Sequence, residues 1–272
     1  MSASVHGSGR GRRMARWLIL ILVMGYLLVP LLSMVEFSTR GPKGSDGSYT
    51  RTAEYWIAIT QNDELIGTIF LNLGIALLTV LGMVALLVTT MTWSYLRVPR
   101  MRRVIEFLCL LPLAIPAVVL VVGIAPIYRE LRVNISSSPL LLSLVYLVLV
   151  LPYAYRSIDG GLRSVDVNTL ADAARSLGAG WARVMFQIIF PNIRTAILGA
   201  SVLSVALVLG EYTISSLLSY RTFQVVIYAI GKRDGSIAVA VSFAALLFVF
   251  VLLIVIARFG GGRSGAQAAE ED

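Results

Sequence analysis

Residues 65–96 read LIGTIFLNLGIALLTVLGMVALLVTTMTWSYL, thirty-two positions without one charged side chain. A helix needs roughly 20 apolar residues to cross the hydrocarbon core of a bilayer, so the length of this run sets the fold class. Inside lipid the backbone has no water to bond, and a segment of this length satisfies its own N–H and C=O groups as a helix. Working outward, further uncharged blocks cover residues 17–35, 107–128, 139–155, 195–210 and 235–257. The block at 139–155 sits at the lower limit of length, and the block at 195–210 reaches it only if its helix continues past Glu211. The sequence therefore predicts an all-α integral membrane protein with six transmembrane helices. Its transmembrane domain covers 17–257, between tails at 1–16 and 258–272. The first block follows Arg10, Arg12, Arg13 and Arg16, as a signal peptide would, but it is longer than a usual signal core and has no small-x-small cleavage signature before Glu36, so it reads as a retained span.

Charge placement orients these spans. The tails and the alternate loops that carry Arg97, Arg100, Arg102 and Arg103, then Arg156, Arg163, Arg175, Arg183 and Arg194, hold fifteen of the 23 basic residues. By the positive-inside rule that side is cytoplasmic, and both termini lie there. The net charge of +8 is thus a topology signal. The loops lack the interleaved aromatics of a nucleic-acid surface, so no nucleic-acid partner is expected. On the outer side eight basic residues meet eight acidic ones, and net electrostatic steering of a solute is about nil.

The residue inventory removes whole classes of chemistry. Cys109 is the single cysteine and His6 the single histidine, the latter in a Gly- and Ser-rich tail expected to be disordered. Neither a Cys/His metal site nor a His-based triad can be assembled from them. No G-x-x-x-x-G-K-[ST] phosphate loop is present, so work driven by a nucleotide falls to another subunit and no cofactor is expected on this chain.

About 40 residues between the fourth and fifth blocks, 156–194, carry an ordered pattern. Leu170, Ala173, Leu177, Trp181, Val184 and Ile188 recur at steps of three and four, which is one helical face. Thr169 followed by Asp172 fits a capping box, with the carboxylate favouring the positive helix end. Gly178 and Gly180 then permit a turn that a Cβ would resist, and Pro191 suits the first turn of the next helix. The loop reads as helix, glycine hinge, helix and then span.

The run Asp172-Ala-Ala-Arg-Ser-Leu-Gly178, nine residues, and then Ile188-Ile-Phe-Pro191 resembles the EAA signature of permease subunits of binding-protein-dependent ABC importers. That signature reads Glu-Ala-Ala, three residues, Gly, nine residues, Ile-x-Leu-Pro. Spacing matches throughout, and the departures are Asp172 for Glu and Phe190 for Leu. The resemblance covers roughly 66–255, with the EAA coupling segment at 165–191. It includes Asn72, the Leu111-Pro112-Leu-Ala-Ile-Pro116 run and Gly210-Glu211-Tyr212. It is greatest to the spermidine/putrescine branch, with relatives for ferric iron, thiamine and phosphonates. What it implies is a MetI-like, type I transmembrane domain in a prokaryotic cell membrane. That domain pairs with a second permease subunit, identical or paralogous, above an ABC ATPase dimer that binds ATP and Mg, and it receives solute from an extracytoplasmic binding protein. The resemblance makes Asp172, Ala173, Ala174, Leu177, Gly178, Trp181, Ile188 and Pro191 the ATPase-coupling residues.

Polar groups in a membrane usually face a cavity or a partner helix. Asn72, Ser201, Ser204 and Glu211 are therefore candidates for the pathway, with interhelical hydrogen bonding the alternative for the first three. Prolines 112, 116 and 126 are expected to bend the third span and free carbonyls, which adds Pro116. A break near Gly210 would make the fifth span a broken transporter helix bordering the solute route. A lone acid beside that route favours a cation such as a polyamine, while Arg221, Lys232 and Arg233 in the same outer loop leave an anion open. A secondary transporter would show two matching inverted halves, which the sequence does not. An integral-membrane enzyme would need a recognisable metal or phosphate pattern around Asp159, Asp166 and Asp172, and none is present.

Overall fold

The computed structural model describes residues 8–43 and 49–260. The sequence readings for His6, for the start of the N-terminal tail and for 261–272 lie outside them. The described chain is almost wholly helical, and it divides into two units, 1–62 with 229–247 and 63–228 with 248–272.

In the first unit, α1 (Ser8–Ser38) is 31 residues long and carries no charged side chain from Trp17 to Val35. It opens at Ser8 rather than at Trp17, so the basic residues before the first block belong to the helix and not to a loose tail. The side chains described from Arg13 to Val29 are all exposed, which suits a helix surrounded by lipid. Strands β1 (Arg40–Lys43) and β2 (Tyr49–Arg51) pair antiparallel, an addition to the all-helical expectation. Arg40 clamps the pair, its guanidinium 3.5 Å from the Tyr49 ring centroid. Short α2 (Glu54–Thr60) follows, and Trp56 meets Phe243 edge to face at 6.2 Å.

The second unit begins with α3 (Asp63–Arg97), whose hydrogen bonding loosens to a π-helical turn at Val84–Val88. Then come α4 (Met101–Ala114) and α5 (Ala117–Asn134), bent by 104°. The expected third span is thus a broken one, and the break lies at Pro116 alone. Ile115, before the proline, is extended at φ −103° and ψ 118°, the region to which the following ring confines it. Pro112 and Pro126 remain inside helices. Helix α6 (Leu142–Ser164) is followed by α7 (Val167–Ser176), α8 (Trp181–Asn192) and α9 (Arg194–Gly210), with a bend of 74° between the last two. Helix α9 stops at Gly210 and does not run through Glu211, which is extended at φ −80° and ψ 122°. Its 17 residues span about 26 Å. Beyond lie α10 (Thr213–Leu217), α11 (Phe223–Gly231) and the apolar α12 (Gly235–Gly260), of which residues 229–247 belong to the first unit.

Among the described residues three helices are long and apolar enough to cross a membrane, or up to five if each bent pair is one span, with a further apolar helix from Gly235. Their core falls into two clusters. One joins α3, α4, α6 and α9 around Met91, Cys109, Ile158 and Ile197, and it takes in Val167, Ala171 and Ala174 of α7 and Val184 and Ile189 of α8. The other gathers Ile75, Tyr128, Tyr146, Val208, Ile214 and Tyr220 toward the opposite end. Small residues bring α6 and α9 together. A Cβ on Gly161 would overlap the Ala196 methyl, and the Ser157 hydroxyl donates to the Ala196 carbonyl at 2.8 Å. Such close crossings give helices in lipid their packing energy.

Candidate functional site

Helix α7 has one face buried in the bundle and one face exposed. Its N-cap is Asp166, whose carboxylate accepts from the Thr169 amide at 3.2 Å and the Thr169 hydroxyl at 2.7 Å. The expected Thr169–Asp172 box is therefore displaced by one turn, because the chain enters the helix at Val167. The Thr169 hydroxyl, then its amide, hold the Asp166 pKa below the usual carboxylate value. Asp172 lies mid-helix on the exposed side and pairs with Arg175 at 3.2 Å.

Val167, Ala171 and Ala174, at helical spacing, are buried in the core shared with α3, α6 and α9. Ala173 is exposed, and so is Leu177, with 87% of its surface open. The apolar residues thus form two faces: one seals α7 to its own bundle and the other is left without a covering. The expected stripe through Trp181, Val184 and Ile188 does not continue that outer face, since Val184 is fully buried.

Gly178 ends α7 in a Schellman motif. Its φ is +82°, its amide donates to the Arg175 carbonyl at 2.8 Å, and the Ala179 amide donates to that of Ala174 at 3.0 Å. The site is open around a hypothetical Cβ, so glycine is required by backbone conformation and not by crowding. Gly180, with an ordinary extended backbone, precedes α8. Within α8 the hydrogen bonds are π-helical over Val184–Ile189. Ile188 is half-buried against the inner core, and Pro191 lies in the last turn of α8. Pro191 stands in the first turn of the short α-helical segment Phe190–Asn192 that ends α8, and the long helix opens only at Arg194, after Ile193 leaves helical geometry. Trp181 sits under the Arg97 guanidinium, 5.8 Å from its ring centroid.

Beside this segment sits a network that motif reading missed. The Tyr95 hydroxyl donates to Asp159 Oδ1 at 2.6 Å, Arg102 donates to the Tyr95 oxygen at 2.7 Å, and Arg163 Nε meets Asp159 Oδ2 at 2.7 Å. It ties α3, α4 and α6 together at one end. Only the Asp159 and Arg163 spacing of four was visible in the sequence. No group of three or more His, Cys, Asp or Glu able to hold a metal occurs among the described residues. Asp166 and Asp172 are engaged in local contacts, and Asp159 in the network that joins the three helices.

The pathway candidates lie elsewhere. Asn72, 2% exposed, accepts from the Phe223 amide at 3.3 Å. Ser201 and the buried Ser204 each donate to the carbonyl one turn back, Ile197 and Ala200, at 2.8 Å. Pro116 forms the N-cap of α5 at the 104° bend. Glu211 accepts from the Tyr146 hydroxyl at 2.9 Å and from the Ile214 and Ser215 amides at 2.8 and 3.3 Å. Its carboxylate thereby caps the short turn that follows the helix break.

Residues 83–261 match the family model described as "Binding-protein-dependent transport system inner membrane component". The chain belongs to this family. As a member it is the inner-membrane permease subunit of an ABC importer, a machine whose ATPase and binding protein are separate components. The family match takes in the Asp172–Pro191 segment, Pro116, Ser201, Ser204 and Glu211, and it begins after Asn72. Among curated permeases, the spermidine/putrescine transport system permease protein PotC of Escherichia coli (strain K12) is 24% identical over 250 residues, covering 90% of this chain and 92% of that one. The ferric transport system permease protein FbpB of Actinobacillus pleuropneumoniae is 25% identical over 159 residues, covering 57% of this chain and 23% of that one.

Proposed function

We propose that this permease forms one half of the translocation pathway for a polyamine, and that α7 is the element through which a partner ATPase drives it. The observation that carries the coupling role is the division of α7 into two faces. Ala171 and Ala174 fix it to the core shared with α3, α6 and α9, while Ala173 and Leu177 face away from that core. A partner that covers Leu177 gains roughly 1.5–3 kcal/mol for the side chain before association costs, and any displacement it imposes on α7 is passed to close-packed helices. Asp172 is within reach of a basic residue on such a partner if it releases Arg175.

In this proposal the chain crosses the membrane six times, counting the two bent pairs and α12, with both termini cytoplasmic as the charge asymmetry directs. A second permease subunit completes the pore, an extracytoplasmic binding protein delivers solute, and ATP and Mg bind to the ATPase pair. Asn72, Pro116, Ser201, Ser204 and Glu211 border the route where α3, α5 and α9 are broken or polar. Polyamine is favoured as solute because the spermidine/putrescine relative matches over nearly the whole of both chains. Ferric iron is the second reading, from a match confined to about half of this chain.

Reconstitution of the permease with its ATPase and binding protein tests both parts. Gly178→Asp is expected to abolish solute-stimulated ATP hydrolysis while membrane insertion stays normal, since it disturbs the left-handed turn that ends α7. Ordinary uptake by that variant removes the coupling role. Spermidine or putrescine is expected to raise the melting temperature of the binding protein and to be taken up, and a response to ferric iron alone replaces the polyamine reading.

A further inference from the structure

Helix α4 is thinly anchored by its apolar residues. Of its 14 positions only Ile105 and Cys109 are buried, one turn apart, and the 104° bend at Pro116 separates its far end from α5. Two buried side chains within one turn fix a point on a helix but leave its tilt free. Arg102 lies on the same face, three residues before Ile105, and supplies a second hold. Its guanidinium donates to the Tyr95 hydroxyl at 2.7 Å, sits 3.8 Å from the centroid of that ring and comes within 3.9 Å of Asp159 Oδ1.

Tyr95 is a junction of three helices. It belongs to the Thr89–Arg97 stretch of α3, against which α7 packs. It donates to Asp159 of α6 at 2.6 Å and accepts from Arg102 of α4. Asp159 is 8% exposed, and Arg163 Nε occupies its second oxygen at 2.7 Å. A buried carboxylate has to keep such partners, because removing one of them leaves an uncompensated charge.

We infer that Tyr95 and Asp159 are positioning residues for coupling: through them α4, and with it the bend at Pro116, follows a displacement of α7. The inference rests on the reading of α7 as the element that a partner ATPase drives. Moving α7 moves the end of α3 on which it packs, and Tyr95 takes Asp159 and Arg102 along. Pro116 is one of the residues proposed to border the solute route, so this polar clamp connects the driven helix with that route.

The intact transporter, reconstituted with its ATPase and binding protein, tests this with Tyr95→Phe. That change removes one hydroxyl and keeps both the ring under Arg102 and the Asp159–Arg163 ion pair. Solute-stimulated ATP hydrolysis is expected to fall about tenfold, the worth of a hydrogen bond to a charged group, at an unchanged membrane level. Asp159→Asn should match it, and the double variant should be no worse than either single one, because all three open the same clamp. A purely structural role would not move a second readout, the distance between spin labels introduced by Arg103→Cys in α4 and Arg156→Cys in α6. Both positions are exposed, and the native Cys109 is buried. In the otherwise wild-type transporter that distance should be the same without nucleotide and with ADP and vanadate trapped on the ATPase. In Tyr95→Phe it should differ between the two states. The inference is overturned if Tyr95→Phe keeps wild-type stimulation while Gly178→Asp loses it, if the effects of Tyr95→Phe and Asp159→Asn add, or if the distance behaves alike with and without the hydroxyl. Wild-type stimulation in Gly178→Asp would instead remove the coupling reading, and this inference with it.

Discussion

The two ends of the second unit are held by different physics. At the Asp159 end α7 and α8 share one apolar core with α3, α4, α6 and α9, and the polar residues there bind to one another around Asp159. At the Glu211 end the backbone itself is broken, and side chains stand in for the missing helical bonds. Glu211 caps α10, Asn72 accepts from the start of α11, and Arg132 donates to the Leu218 carbonyl at 2.9 Å. Close packing transmits displacement because it has no slack. Hydrogen bonds to free backbone groups can be exchanged for water or for a solute at small net cost. In the function proposed above, force would enter where the chain is packed and gating would occur where it is interrupted.

The sharpest way to break this contrast is to wedge the packed end. Gly161→Leu would drive four extra carbons into α9 at Ala196, where even a methyl overlaps. Overpacking of this kind costs about 1–3 kcal/mol. The purified protein should melt at a lower temperature, and ATP hydrolysis should uncouple from solute. An unchanged melting temperature would show that the crossing of α6 and α9 has slack, and the proposed passage of displacement through close packing would go with it.

At the interrupted end a gentler change should matter more for transport than for folding. Glu211→Gln keeps an oxygen for the Ile214 amide but gives up the charge that Tyr146, Ile214 and Ser215 share. The cost is about 1 kcal/mol, equivalent to roughly fivefold in an equilibrium between open and closed forms of the turn. Uptake is expected to change by that order at constant membrane level. Transport kinetics identical to wild type would remove Glu211 from the gating end and leave it a cap only.

Much of this was legible in the chain itself, and the failures have physical causes. Block lengths gave the helices, since lipid enforces internal hydrogen bonding along any apolar run. Gly178 was readable because a positive φ has few residues that accept it. Pro116 was readable only as one of three, because Pro112 and Pro126 fit inside helices where neighbours supply the missing partners. The cap was misplaced by one turn because Asp166 and Thr169 can both begin a helix, and the choice depends on where Val167 is buried. The two faces of α7 could not be told apart by periodicity, which marks apolar residues without saying whether their cover is internal or foreign. The Tyr146–Glu211 and Asn72–Phe223 bonds join residues 65 and 151 positions apart, and no local signal encodes them.

The smallest effect expected concerns that cap. Thr169 holds the Asp166 pKa below its unfolded value, so the charged form is the one the folded helix prefers. The stabilisation is therefore complete above the unfolded carboxylate pKa and is lost as pH falls through the lower, folded one. In Asp166→Asn an amide oxygen still accepts from Thr169, so the cap survives without its charge. Melting curves of the two proteins should coincide in shape near neutral pH with a slight offset, and converge as the medium becomes acidic enough to protonate the wild-type carboxylate. A gap that widens on acidification would mean the charge at Asp166 opposes the folded helix, and the favourable cap at the head of α7 would have to be withdrawn.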